Sequence, residues 1–287
     1  ASSLPEVAGN DAQFFDSLDH RDLSGKISAL VSNENLLVQL SQKGIERSAM
    51  FSWKFVSSKL LDVLNSHSCK NVLQEKKGLD GKSAMPRQKL AYISPLPPEK
   101  SGVANYSSDL LQNLKKFYEI HLIVQHKVEE RPKNLDEFVC VSVDQFKASY
   151  SAYDRILYHF GNSSFHLSYF DLLRMCPGVV VLHDFYLDGV VSMLPDSYER
   201  VYDAHGLVGV CSTFLRSMNQ PFYPCNLEVI DLAQGIIVHS EFARSLLENW
   251  YGKRVYEKSA VVPFSCSSTN VFTVGSQSTQ PESTELI

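Results

Sequence analysis

Nothing in this 287-residue sequence approaches the run of ~18 apolar residues that a membrane-spanning helix needs. An excess of basic residues is missing too. Lys and Arg number 27 against 32 Asp and Glu, a formal net charge of −5, which argues against a general nucleic-acid binder. The first residues do not read as a secretory signal, because no basic segment precedes an apolar one. No cysteines are spaced C-x-x-C and no Cys/His group has zinc spacing, so no metal site is expected. The six that are present (Cys69, Cys140, Cys176, Cys211, Cys225 and Cys266) are expected to be buried free thiols of a reducing compartment. What remains is ordinary: 44% apolar and 21% charged, which excludes a wholly disordered chain and a fibrous rod. At ~150 residues per domain the length suggests about two domains.

The chain divides by pattern. Residues 1–66 predict three helices in succession, over Asp19–Ser32, from Asn33, and after Ser52 as N-cap. The last should carry Phe55, Val56, Leu60, Leu61 and Leu64 on one face. Three helices without a strand do not enclose a core, so they must pack on something else. Pro5-Glu6 reads as loop. Residues 67–88 are polar and read as a linker. Residues 265–287 hold ten Ser or Thr in 23 positions and read as a surface connection.

Residues 89–264 alternate strand and helix. Apolar runs at 90–94, 120–124, 138–143, 155–160, 178–185, 235–240 and 260–264 predict seven strands. Helical patterns lie at Val103–Phe117, Phe165–Met175, Tyr198–Met218 and Glu241–Tyr251. Continuous apolar strands between helices imply a parallel sheet covered on both faces, an α/β, Rossmann-like doubly wound domain.

Ligands of such sheets bind at the carboxyl ends of the strands. The loop after the first strand ends in Ser101-Gly102-Val103, where Ser101 can cap a helix. Gly102 leaves room for a ligand, and the helix N-terminus suits a phosphate. An ordinary βα loop with a capping serine has the same residues. No G-x-G-x-x-G or Walker A sequence is present, so dinucleotide binding has little support. His159-Phe160-Gly161-Asn162 and His183-Asp184 end the fourth and fifth strands. His183 could donate a hydrogen bond to a sugar hydroxyl or handle a proton. Asp184 could orient it or cap the next helix. Satisfied structural histidines fit the same pattern. His239-Ser240-Glu241 ends the sixth strand, with Ser240 as N-cap and Glu241 in the first turn, where a carboxylate suits the dipole. Aromatics near these ends, Tyr106 and Phe185 among them, serve either as stacking surfaces or as wall.

Taken together, YISPLPPEKSGVANYSSDLL (92–111), YHFGNSSFH (158–166), PGVVVLHDFYL (177–187) and GIIVHSEFAR (235–244) resemble the N-terminal domain of family 4 retaining glycosyltransferases of GT-B fold. SSLPEVAG (2–9), FFDSLD and LSQKGIERSAMFSW (40–53) resemble the close of that family's C-terminal domain. The implied layout is a tandem enzyme fragment: the tail of one glycosyltransferase, a linker, and the front domain of a second. The chain's opening at Ala1 rather than Met fits that expectation.

The resemblance implies transfer from a nucleotide-sugar donor, which is a substrate, to a glycan or lipid-linked acceptor, with no cofactor and no metal. It implies a cytoplasmic enzyme without nucleic-acid partners. Peripheral membrane association of the full-length protein is compatible with it. Gly102, with Ser101 and Val103, matches the loop near the donor phosphates. His183, with Asp184, matches the element at the reaction centre. Asn105, Tyr106, His159, Gly161 and Asn162 match the acceptor side. His239 and Ser240 complete the expected set. The family's two glutamates seven residues apart and its phosphate-gripping Arg/Lys pair have no counterpart here, so the chain is expected to hold a half-site. A non-catalytic carbohydrate- or nucleotide-binding module is the alternative, and a dinucleotide enzyme the third reading.

Overall fold

The computed structural model describes residues 3–66, 87–125, 132–214 and 223–265. Four helices come first: α1 (Leu4–Ala8), α2 (His20–Val31), α3 (Glu34–Ser48) and α4 (Trp53–Ser66). Asp19 caps α2 by accepting from the Arg21 and Asp22 amides, and Asn33 caps α3 through the Leu36 amide. Pro5-Glu6, expected in a loop, lies inside α1 instead. A proline costs nothing in a first turn, where its N–H would have no helical partner.

Strand and helix then alternate: β1 (Gln88–Ile93), α5 (Gly102–Leu114), β2 (Tyr118–Val124), β3 (Val139–Ser142), α6 (Val143–Ser149), β4 (Arg155–Phe160), α7 (Tyr169–Met175) and β5 (Val179–Leu182). After them come α8 (Asp188–Ser192), α9 (Ser197–Phe214), α10 (Leu227–Leu232), β6 (Gly235–Val238), α11 (Glu241–Tyr251), α12 (Lys253–Glu257) and β7 (Ser259–Val261). All seven strands pair in parallel in the order β3-β2-β1-β4-β5-β6-β7. The order reverses between β1 and β4, as in a doubly wound, Rossmann-like α/β sheet. Gln88, assigned to the linker, opens β1; the rest of that linker up to residue 86, and residues 266–287, lie outside the described residues. α9 is interrupted at Gly206, which adopts φ 64 and ends the first half of the helix. Residues 215–218 of the expected helix are also outside the described residues.

Two apolar layers sandwich the sheet. Alternation along the strands sends Ile156, Tyr158 and Phe160 of β4 to one layer, with Val180, Leu182, Ile236 and Val238. Leu157, Val179, Val181 and Ile237 go to the other, under α5 and α4. Val56, Leu60 and Leu64 of α4 are buried there, at ~1.5–3 kcal/mol for each side chain fully removed from water. Of the face expected on this helix, Phe55 is the exception: it stands exposed, and Ser57 takes the inward position. α1, α2 and α3 bury none of their residues. Polar contacts join α1 to α3 and to α11. Arg47 donates to the Val7 and Glu6 carbonyls, and Glu6 accepts from the Glu241 and Phe242 amides at the start of α11.

Cys176 and Cys225 are buried free thiols as expected, and Cys140 is half-buried. Cys211 is exposed, against expectation, because the half of α9 beyond Gly206 turns its Leu207 and Val208 outward. No helix among the described residues is long and apolar enough to cross a membrane.

Candidate functional site at the carboxyl edge of the sheet

His159, His183 and His239 follow Leu157, Val181 and Ile237 on the same face of three adjacent strands. Each strand's period of two therefore points all three imidazoles into one place, beneath the start of α5. Ladder extensions set their height. The His183 amide bonds the Phe160 carbonyl, and the Val262 amide bonds the Val238 carbonyl, one residue past each annealed strand.

The rings form a chain. His159 Nδ1 lies 2.9 Å from His183 Nε2, and His183 Nδ1 lies 3.2 Å from His239 Nε2. His239 Nδ1 lies 2.8 Å from the Val262 carbonyl. Tyr106, on the second turn of α5, sets its ring 5.0–6.0 Å from all three. Phe264 stacks on His239 with centroids 3.7 Å apart, and Trp53 of α4 meets Tyr106 at 5.2 Å. Burial keeps the cluster uncharged. It pulls His159 well below the ordinary histidine range, with the neighbouring His239 and His166 adding to the effect. His183 is lowered well below that range by burial first, then by His239, His159 and His166. Burial pulls His239 down to about 4, against the opposing pull of the Val262 carbonyl. Burial also raises the Tyr106 phenol.

The other expected residues divide between cap and bridge. Ser101 Oγ accepts from the Val103 amide and Ser240 Oγ from the Ala243 amide, so both serve as N-caps. Gly102 is exposed, and a Cβ built there meets nothing within 4 Å. Asn105 is exposed one residue before Tyr106. Asn162 is a bracket: its amide donates to Asp184 Oδ2, its Oδ1 accepts from the Val190 amide, and its Nδ2 reaches Asp188 at 3.3 Å. Asp184 thus ties the β4 loop to the β5 loop, and its carboxylate bonds the Asn162 backbone. Gly161 is required by space, since a Cβ there would lie 2.9 Å from His166 Cε1. Glu241 pairs with Arg244 on its own helix.

His166 was not singled out by sequence reasoning. It is buried behind Gly161, keeps Nδ1 near Ser163, and is lowered to about 4 by burial despite the raising effects of the Ser163 backbone and Asp184. Its position six residues past the β4 end gave no periodic signal. Trp53 was also missed, because α4 precedes the sheet by more than 20 residues. A cavity of about 410 Å³ opens elsewhere, at the amino edge of the sheet beside Lys115, Lys116 and Tyr118, and holds none of the expected residues. Among the described residues no group of three His, Cys, Asp or Glu is placed to hold a metal ion.

Fold and site together define a Rossmann-like α/β protein with an imidazole and aromatic cluster at the carboxyl edge of its sheet. Comparison with protein-family models, curated proteins and solved structures gave no match.

Proposed function

We propose that this chain carries the acceptor-side half of a retaining, metal-independent glycosyltransferase that uses a nucleotide-sugar donor. The observation that carries the reading is convergence. Three strand ends and the first turns of α5 bring His159, His183, His239, Tyr106 and the open Gly102 to one edge beside the β1/β4 switch point. Aromatic rings beside uncharged polar groups suit the apolar faces and hydroxyls of a sugar. The bare approach at Gly102, at a helix N-terminus, suits a phosphate. The sequence supplies no glutamate pair or Arg/Lys pair of the family's kind, so the donor's remaining contacts belong to a second domain.

Calorimetric titration separates the possibilities. A nucleoside diphosphate should bind where NAD does not, and Gly102→Val should weaken that binding without lowering thermal stability. Tighter NAD binding would favour a dinucleotide enzyme. In an enzyme completed by its donor domain, His183→Ala should cut turnover far more than it cuts stability; unchanged turnover would return the histidine to a purely structural role. Steady transfer of labelled sugar by the 287-residue chain alone would overturn the half-site assignment.

A further inference from the structure

The direction of the histidine chain follows from one group. A carbonyl oxygen only accepts, so the Val262 carbonyl requires the proton of neutral His239 to sit on Nδ1. His239 Nε2 is then a lone pair, and His183 must donate to it from Nδ1. His183 Nε2 is a lone pair in turn and accepts from His159 Nδ1. The chain ends at His159 Nε2, a lone pair buried without a hydrogen-bond partner among the described residues.

We propose that the Val262 carbonyl, acting through His239, locks His183 and His159 as Nδ1–H tautomers, so that the cluster recognises ligand hydroxyls and refuses anionic oxygens. Free imidazole favours the opposite, Nε2–H, form, so the lock has a chemical consequence. It leaves no N–H directed at a ligand. What the cluster offers a ligand is one acceptor, Nε2 of the half-buried His183, whose partner, the Nδ1–H of His159, is another side chain that can yield; Nε2 of His159 is sealed in the interior. A hydroxyl has a proton to give it; a carboxylate or fully ionised oxyanion has none and meets lone pair against lone pair. His239 is a positioning residue, and Phe264, stacked on it, holds its ring in line. The inference deepens the reading above only in naming a sugar as the source of the hydroxyl.

Long-range ¹H–¹⁵N correlation spectra of the full chain at pH 7.5 test the lock directly and need no transfer activity. All three rings are expected as neutral Nδ1–H tautomers. His239→Phe keeps the stacking surface but removes both nitrogens, and should return His183 and His159 to the Nε2–H form. Inorganic sulfate, which carries no proton at this pH, should leave the three imidazoles unshifted at millimolar concentration. An Nε2–H tautomer at His183 in the wild-type chain, or protonation of the cluster on adding sulfate, would overturn the proposal. Because the wild-type spectrum decides by itself, a variant that fails to fold leaves the test intact. Failure of sugar transfer would count against the function and not against the lock.

Discussion

At neutral pH four histidines, His159, His166, His183 and His239, are held uncharged by burial. The unfolded chain protonates them near 6.5, whereas His166 and His239 in the fold wait until about 4. Below pH 6.5 the unfolded state therefore binds more protons, and stability falls as pH falls through that window. For the fully buried His166 alone the loss by pH 5 is about 2 kcal/mol. Urea unfolding midpoints should drop from pH 7 to 5, and His166→Gln should flatten the slope; a midpoint independent of pH would contradict the neutral burial. Two glycines give a contrast in space. A Cβ at Gly178 lies 2.6 Å from the Ile156 carbonyl oxygen, so Gly178→Ala must displace backbone between β4 and β5, at about 1–3 kcal/mol. Gly102→Ala meets nothing and should leave the melting temperature within about a degree or raise it slightly, since alanine favours a helix. Residue identities at the strand ends were legible, because a histidine closing an apolar run is visible by eye. Their shared face was implicit in the two-residue spacing from Leu157, Val181 and Ile237. Their tautomers were not, because these depend on a carbonyl 23 residues from His239 in the chain.

Elements divide by how much periodicity they display. Seven strands stood out as apolar runs because both faces of the sheet are covered. α11 was legible to the residue, Glu241–Tyr251, between a capping Ser240 and Gly252. α1, α6, α8, α10 and α12 went unread, since helices of five to seven residues complete at most two turns and cannot show a stripe. α4 was readable as a helix but not as part of the sheet's cover, because amphipathicity does not name the surface it meets. Leu60→Ala should cost about 2–5 kcal/mol by leaving a cavity between α4 and α5. Leu37→Ala, on α3 with nothing buried, should fall within about 0.5 kcal/mol of wild type. Equal losses from the two, measured by denaturant unfolding, would mean that α4 is not part of the core.

For the whole molecule, the leading helices attach in two unlike ways. α4 is joined by apolar burial and α1 by a carboxylate resting on the amides of Glu241 and Phe242. Glu6→Ala should raise hydrogen exchange at those two amides and leave the amides of β4 and β5 unchanged. Exchange that rises throughout the sheet would show that α1 supports the core itself. A third join closes the molecule: Ser265 Oγ donates to the Phe51 carbonyl, just ahead of Trp53 and just after Phe264. The segments that lead into α4 and out of the sheet meet at this point, and the aromatic wall of the histidine cluster hangs on both sides of it. Tension applied beyond Ser265, by a neighbouring domain or by a tether, would therefore reach Phe264 first, whereas tension on α1 meets the Glu6 contact with α11 before it reaches Trp53. The protein's handle and the rim of its cleft are one piece.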